Sequence, residues 1–152
     1  MSTISDSRGV EDRTATNVEV VARLWREAFD GGDLSILPEL AHHEFTNFGE
    51  VVDGPQFLTD LITSQRSAFP DMQFETLQTL AAGDWVITKM RWTGTFQNHF
   101  SFIGLTGVEP TGRSFDVNHA HAFRLVDAKV AEHWAVRDDL TMHRQLLGNA
   151  AA

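Results

Sequence analysis

Cysteine and tyrosine are both missing from these 152 residues. Without cysteine there are no disulfides, no thiolate metal ligands and no thiol nucleophile. Without tyrosine, a bound carbonyl or oxyanion must be met by His, Asn, Trp N–H, backbone amides or a protonated Asp. Basic residues are few: 12 Lys and Arg against 21 Asp and Glu give 12 − 21 = −9, and no basic run occurs. A phosphate backbone finds no electrostatic footing on such a chain, so nucleic acid is not an expected partner. No apolar run is long enough to span a bilayer, and MSTISDSRGVEDR lacks the apolar middle of an export signal. A cytoplasmic protein without a membrane partner is the expectation. What is present is ordinary for one globular domain: 42% apolar and 22% charged residues, with eleven Phe and four Trp.

Residues 1–13 are polar and aperiodic and read as a disordered lead. Thr16-Asn17-Val18-Glu19 has the form of a capping box, and Val18, Val21, Ala22, Trp25, Ala28 and Phe29 then recur at helical spacing up to Gly31-Gly32. ILPELA is a short second helix and EFTNFGEVV a brief extended stretch. Gly54-Pro55 opens a third helix with a stripe of Phe57, Leu58, Leu61, Ile62, Ala68 and Phe69, stopped by Pro70-Asp71. From there the period changes to two. MQFETLQTL, DWVITKMRWTGTF, RSFDVNHAHAFRLV and KVAEHWAVRD read as strands, and DLTMHRQLL as a helix closed by Gly148. Helices first and strands after them predict an α+β domain over 14–148, with helices on one face of a curved antiparallel sheet and a tail at 149–152.

Alternation assigns faces. Val117, His119, His121, Phe123 and Leu125 share one, and the apolar pair at its end sends both histidines inward. Val86, Thr88, Met90 and Trp92 are the favoured inner set of the strand before, with apolar Trp85 and Ile87 on the opposite parity leaving the other face open. In the last strand Val130, Trp134 and Val136 mark an inner face that also carries Glu132 and Asp138, leaving Asp139 outside. The expected pocket wall is Met90, Phe123 and Val136 with Trp25, Trp92 and Trp134, which read as core or wall. Asn47 of FTNFG either faces inward as a donor or is a turn residue before Gly49, and Glu132 is at a rim. Asp138 and Asp139 sit where strand becomes helix, so Asp138 is as readable as a helix cap as it is as a pocket group, and Asp139 reads first as helix-start punctuation. His119 and His121 have a spacing that some metal sites use. With no cysteine and no clear third or fourth ligand, pocket histidines are the commoner outcome and no metal is expected. His42-His43 reads as a surface pair.

The ending EHWAVRDDLTMHRQLLG resembles the close of the SnoaL-like polyketide cyclase family, with an Asp four residues after Trp134 and Gln145-Leu146 at the helix end. REAFDGGDL, GPQFLTDLITSQRSAFPDMQF, WTGTF and EPTGRSFDV resemble earlier family segments, so the likeness spans about residues 17 to 147. It implies a nuclear-transport-factor-like cone around an internal pocket, usually a homodimer through the outer side of the sheet. It also implies ring closure by intramolecular aldol condensation without metal or organic cofactor. An Asp of the final strand is the acid/base in those cyclases, which by position is Asp138, and a pocket histidine assists, here His121 or His119. The loop TFQNHFSFIGLTGVEPTG is longer than the common family form and is expected to shape the pocket mouth.

The expected function is thus a cyclase or related acid/base enzyme acting on an apolar, polyketide-like small molecule. Two other readings stand beside it. An epoxide hydrolase or isomerase of the same fold commonly uses a tyrosine, which is absent, and the hydrolase an Asp–Arg–Asp relay, for which Arg91 and Arg124 have the wrong parity. A non-catalytic binder would leave Asp138 as a cap and its pocket without convergent polar groups.

Overall fold

In a computed structural model of the chain, residues 4–148 are described. Helix α1 spans Ile4–Arg23 and continues as a π-helical turn over Leu24–Asp30. Residues 4–13, expected as a disordered lead, are therefore helical; residues 1–3 and the tail at 149–152 lie outside the described residues. Thr16 does not cap. Its hydroxyl donates to the Asp12 carbonyl at 3.0 Å, a bond to the preceding turn that belongs to a helix interior. The π turn closes where the Gly31 amide donates to the Arg26 carbonyl at 3.0 Å, and the wider coil sets Leu24, Trp25, Ala28 and Phe29 against the sheet.

A 3-10 turn, Leu34–Ile36, capped by Asp33, leads through α2 (Leu37–Leu40) into β1 (Ala41–Asn47) and β2 (Glu50–Asp53). The one extended stretch read from the sequence is thus a hairpin. Its two-residue turn, Phe48-Gly49, has φ of 49° and 84°, the paired positive angles that match the twist of tight hairpins. Asp53 then accepts the Gln56 amide and caps α3 (Gly54–Ala68). The rest follows as β3 (Gln73–Ala82), β4 (Trp85–Thr95), β5 (Ser114–Val126), β6 (Lys129–Arg137) and α4 (Asp139–Leu147).

The six strands form one curved, open sheet in the order β2-β1-β6-β5-β4-β3. From β3 to β6 it is an antiparallel meander, but β1 lies parallel to β6, so the sheet is mixed rather than wholly antiparallel. A parallel pair needs a long crossover, which α3 and the meander supply. α1, its π turn and α3 cover the concave face. Val21, Leu24, Leu37, Leu40, Ile62, Val86 and Met90 pack there with little or no exposure. A second cluster, Phe69, Trp92, Phe96, Phe100, Leu105, Phe115, Met142 and Leu146, ties the 96–112 loop and α4 to the sheet. Each of these large side chains contributes about 1.5–3 kcal/mol by leaving water. Among the described residues, no helix is long and apolar enough to cross a membrane.

One irregularity decides which side chains of β6 face inward. Leu125 pairs with Val130, yet Arg124 pairs with Glu132, so Ala131 is an extra residue on β6. Such a bulge inverts the alternation beyond it. Val130 and Ala131 are both buried, and from there His133, Ala135 and Arg137 stand opposite the inward residues Phe123, His121 and His119. Glu132, Trp134 and Val136 are on the outer face instead, with Glu132 paired to Arg124 at 2.9 Å. The parity read from the sequence took Val130 as the start of an unbroken strand.

Candidate active site

The concave face holds a cavity of about 270 Å³. Most of its wall is apolar and aromatic: Trp25 and Phe29 from the π turn, Phe57, Leu58 and Leu61 from α3, Phe74 from β3, Trp92 from β4 and Phe123 from β5. Phe48 from the hairpin turn and Phe100, Phe102 and Ile103 from the 96–112 loop complete it. That loop is fastened to α4, where the His143 ring meets the Ile103 carbonyl and the Thr111 hydroxyl donates to the Leu146 carbonyl.

Polar groups gather on the sheet side: Asn47, His119, His121, His133 and Arg137, with Gln65 opposite them on α3. The register brings them together. Asn47 of β1 is beside His133 of β6, and His119 of β5 is beside Arg137. His121 Nδ1 lies 3.0 Å from His133 Nε2, and His133 Nδ1 lies 2.8 Å from Asn47 Oδ1. Trp25 edges onto the His121 ring at 4.8 Å while its own N–H donates to Thr88 at 3.1 Å. Four buried polar atoms of the lining have no protein partner: His119 Nε2, His121 Nε2, Trp92 Nε1 and Gln65 Oε1. Each such atom costs about 1–3 kcal/mol unless something meets it, and all four belong to side chains around one cavity.

Burial holds these histidines neutral. Desolvation pushes His119 and His133 down to about 4. His121 is driven well below its ordinary 6.5 by burial, with His133, His119 and Arg137 adding in the same direction. Asp139 and Asp138 partly offset the effect at His119. No carboxylate lines the cavity among the described residues, and Arg137 is the one cation in its wall. Arg137 lies 3.3 Å from Asp139 Oδ2, with its guanidinium carbon 5.7 Å from the Phe48 ring centre. Among the described residues no group of three His, Cys, Asp or Glu side chains is placed to hold a metal.

A family model described as SnoaL-like polyketide cyclase matches residues 19–146. The chain belongs to the SnoaL-like polyketide cyclase family. Similar curated proteins include the aklanonic acid methyl ester cyclase DnrD of Streptomyces peucetius, 28% identical over 138 residues, which are 87% of this chain and 91% of DnrD. DauD, of the same description, from Streptomyces sp. (strain C5), is 28% identical over 135 residues, 85% of this chain and 80% of its own. Among solved structures, wild-type IdmH from Streptomyces antibioticus is 30% identical with a TM-score of 0.69, covering 85% of this chain and 96% of IdmH. TsrD from Streptomyces laurentii shares the cone fold at a TM-score of 0.75 and 24% identity, over 88% of this chain and 96% of TsrD.

Within this SnoaL-like site, Trp25, Asn47, Trp92, His119, His121 and Phe123 stand in the cavity wall as placed from sequence. Four other residues do not. Met90 is fully buried in the core but lies behind the lining. Trp134 and Val136 are 42% and 67% exposed on the outer face, carried there by the bulge at Ala131. Asp138 is exposed and caps α4, accepting the Thr141 amide at 3.1 Å; the Thr141 hydroxyl first and this amide second hold its carboxyl below the usual carboxylate range. The carboxylate turned back toward the strand is Asp139, with Oδ1 buried and Oδ2 on Arg137. His133 and Arg137 escaped the sequence reading. A signal for them was the adjacent apolar pair Val130-Ala131, where strict alternation breaks and a bulge can sit.

Proposed function

We propose that this SnoaL-like protein closes a carbon ring in a poly-β-ketone by proton transfer at His121. The observation that carries the reading is the pair of buried, unpartnered imidazole nitrogens, His119 Nε2 and His121 Nε2, in an otherwise aromatic cavity. His121 Nε2 takes the proton from carbon alpha to a carbonyl; the C–H electron pair becomes an enolate. The enolate carbon attacks a second carbonyl, a C–C bond forms, and the new alkoxide recovers the proton from His121. Arg137 and the Trp92 N–H, the latter without a protein partner, offer charge and a hydrogen bond to the enolate oxygen. A neutral imidazole is the right form of the base, and desolvation keeps it so. Every group this chemistry needs is a side chain, so the reading invokes no metal or organic cofactor.

The base in this reading is an imidazole rather than Asp138, whose carboxylate is committed to the α4 cap. The substrate class follows from the wall and from the relatives: a flat, largely apolar polyketide, with aklanonic acid methyl ester, the substrate named for DnrD and DauD, as first candidate. We further read the protein as a cytoplasmic homodimer. Leu80, Ile87, Trp134 and Val136 are exposed along the outer face of the sheet, an apolar strip of the kind that pairs with a second copy. The test is ring closure of that ester by wild type and by His121→Asn, with binding followed through Trp25 and Trp92 fluorescence. Product from wild type and its loss at retained binding supports the enzyme. Binding by wild type with no product from any poly-β-ketone supports the small-molecule binder instead.

A further inference from the structure

The line of three side chains from Asn47 through His133 to His121 has a polarity that the proton-transfer reading leaves open. A carboxamide oxygen only accepts, so at 2.8 Å from Asn47 Oδ1 the Nδ1 of His133 carries a proton. A neutral imidazole has one N–H, which leaves His133 Nε2 as an acceptor. At 3.0 Å from it, the Nδ1 of His121 must then donate. By the same count His121 Nε2 is a bare lone pair, buried and without a protein partner in the cavity wall. We propose that Asn47 and His133 are positioning residues that fix the tautomer of His121, so that its Nε2 is presented to substrate as a proton acceptor.

The backbone supports this assignment. The parallel pairing of β1 with β6 sets Asn47 opposite His133, and the bulge at Ala131 turns His133 to the inner face. The His121 and His133 rings lie 5.3 Å apart and 20° from parallel, and His121 Nε2, buried without a protein partner, belongs to a side chain of the cavity wall. The titratable and charged groups around His121 are His119 on its own strand and His133 and Arg137 on β6, while the π turn contributes the uncharged Trp25. None is a carboxylate. The relay ends on a neutral amide, which orders the imidazoles without adding the negative charge that would hold His121 protonated. When Nε2 takes the substrate proton, the positive charge formed is shared through Nδ1–H to His133 and met by the Asn47 carbonyl dipole. When the alkoxide takes that proton back, the relay returns to its starting state.

The inference rests on the pocket being a proton-transfer site, but its test does not depend on turnover. Long-range 1H–15N correlation on the full-length protein near neutral pH reads each imidazole tautomer directly. The expected spectrum has His121 and His133 both as Nδ1–H tautomers. Asn47→Asp preserves the acceptor and adds a negative charge, so the tautomers stay and the titration midpoints of the pair rise by about 1–3 units. Asn47→Leu removes the acceptor and leaves a mixture of tautomers, with kcat lowered more than KM is raised. An Nε2–H tautomer at His121 in wild type overturns the proposal whatever the variants do, and so does an Asn47→Asp protein whose histidine titrations do not move. Absence of turnover with the expected tautomers sinks the ring-closing function and leaves the relay standing.

Discussion

Lowering the pH from 7.5 to 5 should cost this protein a large part of its stability. His119 and His133 have folded-state values near 4 against an ordinary 6.5, because the charged form is excluded from the desolvated cavity wall. Between those values the unfolded chain binds protons that the folded one does not, so stability is full above about 6.5 and falls as the pH drops toward 4. At pH 5 each histidine contributes about 2 kcal/mol of loss, roughly 4 kcal/mol for the two, and His121 adds to it in the same direction. Domains of this kind have about 5–15 kcal/mol in all. The carboxylates held low by hydrogen bonds, such as Asp71 and Asp138, have ordinary values of 3.8 and act mainly below this window. Urea unfolding at the two pH values should therefore show a lower midpoint at pH 5 with an unchanged slope. Equal midpoints, or imidazole titrations of His119 and His133 near 6.5 in the folded protein, would refute the buried-neutral cluster.

Other consequences reach beyond the cavity. Asp138→Ala should lower the melting temperature and fray α4 in hydrogen exchange, whereas Asp138→Asn keeps an equally good cap and should leave both unchanged. A charge set into the outer strip by Val136→Glu should convert a dimer to a folded monomer in sedimentation velocity. A wild-type monomer at micromolar concentration would dismiss the dimer.

The sequence carried α3, the four-strand meander and the inner face of β5, because each is written in a period that runs unbroken, while the cone came with the family likeness. Val86, Thr88, Met90 and Trp92 are all buried, as are His119, His121 and Phe123. The family likeness added the pocket. The last strand was misread because one inserted residue, Ala131, reverses every side chain after it while leaving the composition of the strand unchanged. Trp134 and Val136 have the composition of core residues, yet they stand exposed on the outer face of the sheet. Asp138 and Asp139 exchanged their expected places for the same reason. With His133 rather than Trp134 inside, the strand ends with Arg137 at the cavity, Asp138 on the helix cap and Asp139 on the arginine. The relay from Asn47 depends on register between β1 and β6, two strands some ninety residues apart, and no local pattern reports it.

The most direct measurement compares His121→Asn with Asp138→Asn for turnover of a poly-β-ketone that wild type cyclises, with folding of both verified by circular dichroism. A base held in the cavity at His121 predicts a fall of about 10²–10⁴-fold in kcat for the first, equivalent to about 3–5 kcal/mol of barrier, and near wild-type turnover for the second. The reverse result, His121→Asn active and Asp138→Asn dead but stably folded, would contradict the account.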